Sequence, residues 1–325
     1  MSCFSAPTGI AFFSSIFGTP TENISLINKA EIIVPSYKTR KVVVPERPLA
    51  PGSIQIRSIA NNPNFSENAL KEEYSLIQKI VGFWATQQIV DYLIYEKKSL
   101  SDDSISYREI VPYPKNGLQL WQQLKVLWNI SFGAPSQSNN LRFSEVTKFT
   151  NYEVFSRPYV NKIEDIQEIV KGTDPFCRET VIEKQWVFKG TEVNVLYDAA
   201  PIANGDKKFH FLIIPQRHCE KFSDLTESEY VESQQLSQHL ADFCKKEGCD
   251  TAFIFQKTGE RAGQSVNHCH LHLVATATKT QQLFGKLTVF KNMLIGASGL
   301  SEDELKNRVN NLRVKLVNLT GKKDD

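Results

Sequence analysis

No histidine occurs before position 210 of this 325-residue chain, and its six cysteines include no CxxC pair. The first absence confines any imidazole chemistry to the C-terminal part. The second leaves Cys3, Cys177, Cys219, Cys244, Cys249 and Cys269 few and unpaired in spacing, which points to reduced thiols in a cytoplasmic compartment. No apolar run reaches the roughly 18–20 residues that a membrane span needs, so no membrane partner is expected. The opening "MSCFSAPTGIAFFSSIFG" lacks a basic n-region and contains Pro7 and Gly9, which argues against a secretory signal. Lys and Arg total 38 against 36 Asp and Glu, a net charge of +2, without the basic excess of a general nucleic-acid binder. One core seldom grows beyond about 250–300 residues, so two domains are expected.

What the chain does contain is a repeat of itself. "QLWQQLKVLWNISFGAP" from Gln119 and "QLFGKLTVFKNMLIGAS" from Gln282 share aromatic, Leu, Val, Asn and Gly-Ala positions at an offset of 282 − 119 = 163. The same register sets "YREIV" (Tyr107 to Val111) beside "HLHLV" (His270 to Val274). With small gaps it sets "DYLIYEK" from Asp91 beside "DTAFIFQK" from Asp250. Helical patterns precede both, and each half reads as strand, turn, strand, helix, strand, strand and a helical piece. The expected fold class is α+β: two units, each a largely antiparallel sheet with helices. Thr226 with Glu229 has the spacing of a capping box, Gly248 stands where a left-handed helix end belongs, and Ser301 with Glu304 starts a last helix. Between the halves "SQSNN" reads as a polar loop and "IEDIQEIVKG" as a short amphipathic helix. The expected organisation is an N-terminal segment of unassigned role (1–25), a first domain (26–135), a linker with a short helix (136–172) and a second domain (173–325).

In "GQSVNHCHLHLVA", Gly263 to Ala275, three histidines occupy alternate positions. Residues two apart on a strand share a face, so His268, His270 and His272 are expected to project together, with Cys269, Leu271 and Leu273 opposite. The preceding "QKTGERAGQS" has the composition of a turn whose backbone amides can approach an anion. Neutral imidazole is a competent nucleophile toward phosphorus near pH 7, so the combination points to phosphate chemistry. The spacing leaves a second option open, because HxH on a strand can ligate a catalytic zinc with the third histidine or His218.

"HCHLHLV" matches the His-φ-His-φ-His-φ-φ signature of the histidine triad (HIT) superfamily of nucleotide hydrolases and transferases, and the chain resembles that family from about Pro175 to Ala277. "PFCRETVIEKQWVFKGTEVNVLYDAAP" resembles its opening hairpin and "FHFLIIPQRH" its central strand. With Val42 to Val111 as an eroded second copy, the architecture is similar to the duplicated branch that includes galactose-1-phosphate uridylyltransferases and dinucleoside polyphosphate phosphorylases. The resemblance implies that His270 attacks the α-phosphorus, that His272 contacts phosphate oxygens or assists the leaving group, and that His268 orders the imidazole network. It assigns Gln264, Ser265 and Gln256 to phosphate, His218 to a supporting role and Asp198 to the ribose hydroxyls.

Several positions depart from the family pattern. The loop "AAPIANGDKKF" after Asp198 is long, and Asp174 stands where zinc-binding members pair a cysteine with Cys177, so a structural zinc near Cys177 is not counted on. His272 replaces the glutamine general in the uridylyltransferases and phosphorylases, which favours hydrolysis. The first half carries Ile105, Tyr107 and Glu109 at the triad positions, and Glu46 aligned with Asp198, so it is expected to be catalytically dead. The expected activity is hydrolysis of a phosphoanhydride or phosphoramidate of a nucleoside monophosphate through a nucleotidyl-histidine intermediate. The alternatives are a nucleotidyltransferase or dinucleoside polyphosphate phosphorylase, and a non-enzymatic nucleotide sensor or interaction protein. The expected partner is a nucleotide or dinucleotide, held by a monomer whose halves pack as an internal pseudo-two-fold.

Overall fold

The structure, a computed structural model, describes residues 25–26, 31–33, 37–59, 66–101, 107–150, 174–202, 209–277, 291–292 and 296–320. The first half comprises β1 (Ser25–Leu26), β2 (Glu31–Ile33), β3 (Arg40–Val43), β4 (Ile54–Ser58), α1 (Glu67–Thr86), β5 (Tyr92–Ser99), β6 (Arg108–Pro112) and α2 (Gln119–Phe132). After α3 (Asn139–Thr150), the second half comprises a 3₁₀ turn (Pro175–Cys177), α4 (Glu179–Gln185), β7 (Trp186–Lys189), β8 (Val193–Tyr197), β9 (His210–Pro215), α5 (Glu227–Lys246), β10 (Thr251–Thr258), β11 (Leu271–Thr276) and α6 (Glu302–Thr320).

The helix boundaries follow from local chemistry. At the start of α5 the Thr226 hydroxyl accepts the Glu229 N–H (3.1 Å) while the Glu229 carboxylate accepts the Thr226 N–H (2.8 Å), which satisfies two donors that the first turn leaves over. The helix ends where Gly248 adopts φ +88°. Ser66 caps α1 through the Ala69 N–H (3.3 Å). The "SQSNN" segment differs from expectation, because Ser138 accepts the Leu141 N–H (3.4 Å) and α3 begins at Asn139. The opening of "PFCRETVIEKQ" likewise forms the 3₁₀ turn and α4, with the β7–β8 hairpin only after it. "IEDIQEIVKG", the 1–24 stretch, Ile105 and most of the repeat segment from Gln282 lie outside the described residues.

Among the described residues the strands form a single eleven-stranded sheet in the order β1-β2-β3-β4-β6-β5-β10-β11-β9-β8-β7, with every neighbouring pair antiparallel. The order β3-β4-β6-β5 is mirrored by β8-β9-β11-β10, and the two sets meet where β5 pairs with β10 from Thr251↔Ser99 to Thr258↔Tyr92. The expected intramolecular pairing of two related units is therefore present as a continuous ladder. On one face α1 and α5 pack together across this seam, with the rings of Tyr74 and Tyr230 5.5 Å apart. Leu236, Leu240 and Phe243 of α5 and Val309 and Leu312 of α6 close over Val195, Phe211, Ile254 and Leu273. Burying a large apolar side chain is worth about 1.5–3 kcal/mol, so this layer anchors the second half. The other face carries α2 over the seam, through Val126 and Ile130, and Phe176 over β8 and β9. The histidine site lies on that second face. No helix among the described residues is long and apolar enough to cross a membrane.

Candidate active site

β11 starts only at Leu271, so His268 and His270 stand on the segment entering the strand and the three imidazoles take different directions. His270 is buried, and its Nδ1–H donates to the carbonyl of His268 (2.6 Å), which leaves Nε2 with its lone pair. Burial, chiefly, pushes the His270 pKa down to about 4, so the ring is neutral at pH 7. Its centroid lies 4.6 Å from that of His272 and 5.4 Å from that of Phe176, which meets it edge-on.

His272 pairs across the ladder with Phe255, on whose ring it stacks at 4.5 Å, and its Nδ1 is 2.9 Å from Nε2 of His210. His210 Nδ1 has two neighbours: an oxygen of Asp198 at 3.1 Å and the N–H of Ile202 at 3.3 Å. These allow two tautomers. A proton on His210 Nδ1 bonds to Asp198 and lets His272 Nδ1–H donate to His210. A bare Nδ1 accepts from Ile202, so His210 Nε2–H donates to His272 and places the His272 proton on Nε2. Burial lowers the pKa values of both rings, which keeps this pair neutral and able to exchange its tautomers. His210 was not singled out in the sequence. The signal available was its register: β9 pairs with β11, and His210 and His272 come from adjacent strands of one face.

The remaining triad member belongs to another cluster. One Asp174 oxygen lies 2.6 Å from His268 Nδ1, 2.7 Å from His218 Nδ1 and 3.2 Å from Cys177 Sγ. His268 thus orients His270 through its backbone carbonyl, and its ring does not join the imidazole network as expected. His218 is buried, so it is no exposed loop residue. His268 Nε2 lies 3.1 Å from the carbonyl of Pro215, to which it donates, and Nδ1 faces the carboxylate. Burial raises the Asp174 pKa, but the His268 hydrogen bond and charge, with the Cys177 and Phe176 donors, hold it well below the carboxylate range. Four donor atoms, one O, one S and two N, converge within 4.8 Å of one another. That set fits zinc, and the Pro215 carbonyl is the outer partner that a ligating imidazole needs. A zinc ion held by Asp174, Cys177, His218 and His268 would be structural, tying the 3₁₀ turn to the entry of β11. Because His268 and His218 converge here while His270 and His272 point elsewhere, the geometry does not gather the triad around one catalytic metal.

Residues 179–279 match the HIT domain family. The chain is similar to an uncharacterized HIT-like protein of Methanocaldococcus jannaschii, 32% identical over 71 residues, and to an adenosine 5′-monophosphoramidase of Saccharomyces cerevisiae, 33% identical over 90 residues. These matches take in 22% and 27% of this chain and 55% and 52% of those proteins, so it spans about half the length of each. Its fold is also similar to that of an ADP-glucose phosphorylase from Arabidopsis thaliana with bound ADP-glucose: 11% identity, TM-score 0.46, 83% of this chain and 81% of that one. The chain carries a HIT domain over residues 179–279. That domain lies in the second half, and the first half repeats the strand order without the histidines.

In that first half Glu109 stands opposite Tyr95 as His272 stands opposite Phe255, and the ladders set Ser53 where the HIT domain has His210. Glu109 accepts from the Leu49 N–H (2.7 Å) and the Gln55 amide (2.9 Å), and burial raises its pKa. Tyr107 is exposed under the Arg57 guanidinium. Glu46, expected to match Asp198, instead accepts from the Ser136 hydroxyl (3.0 Å). No imidazole nucleophile exists on this side.

Several assignments to the substrate are corrected by the geometry. Gln256 faces the helix-covered side, buried, with its amide 2.7 Å from Cys269 Sγ, because it is one residue out of phase with Phe255 on β10. The Gln264 amide holds its own turn, accepting from Gly259 N–H (2.7 Å) and donating to the carbonyls of Glu220 and Val266 (both 2.9 Å). Asp198 accepts from Ala200 N–H (2.8 Å) and faces His210 Nδ1 (3.1 Å), so its oxygens hold a turn and a histidine. Ser265 is exposed on the loop, consistent with contact to a phosphate. The turn amides of Gly259, Arg261, Gly263 and Gln264 all have protein acceptors, so they are not the open anion cradle that the composition suggested.

The first half holds this turn. Gln119 and Gln123 of α2 donate to the carbonyls of Glu260 and Arg261 (3.0 Å each), Asp91 accepts the Arg261 N–H (3.1 Å), and Arg261 Nη2 donates back to Gly117 (2.6 Å). Gly259 has φ +82°, and a Cβ there would overlap the Asp91 carboxylate. The turn is therefore gripped from across the seam.

Proposed function

We propose that this HIT protein hydrolyses a phosphoanhydride or phosphoramidate of a nucleoside monophosphate through a nucleotidyl-His270 intermediate. The observation that carries the reading is the His270 ring, locked by its Nδ1–H on the His268 carbonyl so that a bare Nε2 faces outward. Nε2 attacks the α-phosphorus; the N–P bond forms as the bond from phosphorus to the leaving oxygen or nitrogen breaks. His272, in the tautomer with Nε2–H, gives that proton to the leaving group as His210 Nε2–H passes its own to His272 Nδ1, so the pair is one proton short until water restores it. Water then attacks phosphorus and the N–P bond breaks. Its proton returns through the same pair, and the nucleoside monophosphate leaves. The kinship to a yeast monophosphoramidase supports a nucleotide with a nitrogen leaving group among the substrates.

The test is incubation with adenosine and other nucleoside phosphoramidates, dinucleoside polyphosphates and nucleotide sugars, with and without phosphate or a sugar phosphate as acceptor. Release of nucleoside monophosphate in water alone supports hydrolysis. Turnover that requires the added acceptor would show a transferase or phosphorylase, and binding without turnover would show a sensor.

A further inference from the structure

Beside His272, between β5, β10 and α2, is a cavity of about 110 Å³ lined in part by Tyr95, Tyr113, Gln123, Phe255, Lys257 and Gly263. It lies on the histidine face: Phe255, stacked on His272, forms one wall, and Lys257 follows two residues later on the same side of β10. The space is several times what one ordered water occupies. Its far wall is α2 of the half that has no triad.

The Lys257 ammonium is the charged group of this cavity. A Cβ placed on Gly263 would sit 3.5 Å from its Nζ, so the amine lies against the turn that leads to the triad. Its charge acts on His210, His270 and His272 alike, which puts it within electrostatic reach of all three rings. No ion pair or hydrogen bond of Lys257 is present among the described residues; its neighbours are the Phe255 face at 5.9 Å and the cavity. Burial lowers its pKa with nothing to offset it. An ammonium in this setting costs free energy unless an anion joins it. The Tyr95 and Tyr113 hydroxyls, kept protonated by burial, add two donors in the same wall. Since the turn amides are already spent within the protein, the loop itself offers little to a second negative group.

We infer that this seam cavity receives the leaving portion of the substrate when that portion carries phosphate, and that Lys257 binds it there. The inference rests on the proposed nucleotide hydrolysis and narrows it to substrates with a negatively charged leaving group, phosphoanhydrides above phosphoramidates. It also gives the first half a part in substrate selection, because Tyr95, Tyr113 and Gln123 come from that half.

The experiment compares the full-length protein with Lys257→Met, Lys257→Gln and Lys257→Arg. Diadenosine triphosphate supplies a charged leaving group and adenosine 5′-phosphoramidate an uncharged one. A hydrogen bond to a charged group corresponds to roughly ten- to hundredfold, so kcat/KM on the triphosphate should fall by that factor in the Met and Gln variants. The loss should exceed that on the phosphoramidate by about tenfold, and Arg should restore most of it. Equal losses on both compounds, or none, would overturn the proposal. If the wild type turns over neither compound, the hydrolase reading fails by itself, and titration with inorganic pyrophosphate decides the cavity. Binding weakened about tenfold or more by Lys257→Met sustains it, whereas unchanged affinity sinks it. Thermal denaturation of the Met variant checks that it folds; removing an unpaired ammonium from a partly buried wall should not lower its Tm.

Discussion

Tyr95 and Phe255 lie directly opposite each other across β5 and β10, and each is the other's counterpart in the internal repeat. The pseudo-two-fold axis therefore passes between these two rings. Equivalent residues meet there, as a closed two-fold contact requires, so one chain supplies both patches of a surface that two subunits would otherwise share.

A chain beginning at residue 173 should consequently not persist as a soluble monomer. It would bare the whole edge of β10, eight residues long and now paired with β5, together with the apolar faces of α5 and Phe255. Size-exclusion chromatography with light scattering is expected to show aggregates or a self-dimer. A stable, fully active monomer would contradict the seam's role.

Under the seam helices, Arg108 pairs with Glu96 (2.6 Å) and with Glu73, which also binds Arg40 (3.1 Å) and the Tyr230 hydroxyl (2.5 Å). All of these side chains are buried. Arg108→Met leaves two carboxylates with one cation, and breaking a buried pair in this way costs about 3–5 kcal/mol. Urea denaturation should show the loss, and Arg108→Met with Glu96→Leu should recover part of it. A variant as stable as the wild type would mean that the cluster is wet or already broken.

His270→Ala should abolish turnover while leaving nucleotide binding measurable, and wild type quenched without acid should carry a phosphoramidate adduct. His210→Ala tests the relay. Proton transfer contributes about 10²–10⁴-fold, so kcat should drop by that order on a substrate with a poor leaving group. With a p-nitrophenyl nucleotide, whose leaving group needs no proton, the drop should be far smaller. Equal drops on both substrates would assign His210 to packing alone.

Metal analysis of protein purified without chelators should find about one zinc per chain, and Cys177→Ser with Asp174→Ala should lose it. Prolonged chelation is expected to lower Tm and slow turnover together, because the 3₁₀ turn and the His268 carbonyl that aims His270 are released. Protein that contains no zinc and whose Tm is indifferent to chelators would show that hydrogen bonds alone hold the cluster.

The repeat, the α+β class, the antiparallel sheet and the start of α5 were legible because they rest on local periodicity and capping chemistry. Thr226 and Glu229 satisfy each other within one turn, and alternation does not depend on distant residues. The site was legible as a motif but not as a set of directions. His268 was read as one of three like neighbours, yet Asp174, 94 residues away, draws its ring out of the network. Gln256 and Lys257 differ by one position, and only the register with β11 shows which of them faces the histidines. His210 carries no local signal beyond being a histidine in a strand, and its partner comes from the neighbouring strand.

The grip of α2 and Asp91 on the Glu260–Ala262 turn separates the place of a lesion from its symptom. Among the stretches to which loss of activity would map in a library of random single variants screened only for turnover, two lie far apart in the chain. One is the histidine segment. The other is a helix surface and a single carboxylate in a half with no nucleophile, where a defect in catalysis would arise without any reacting group having changed.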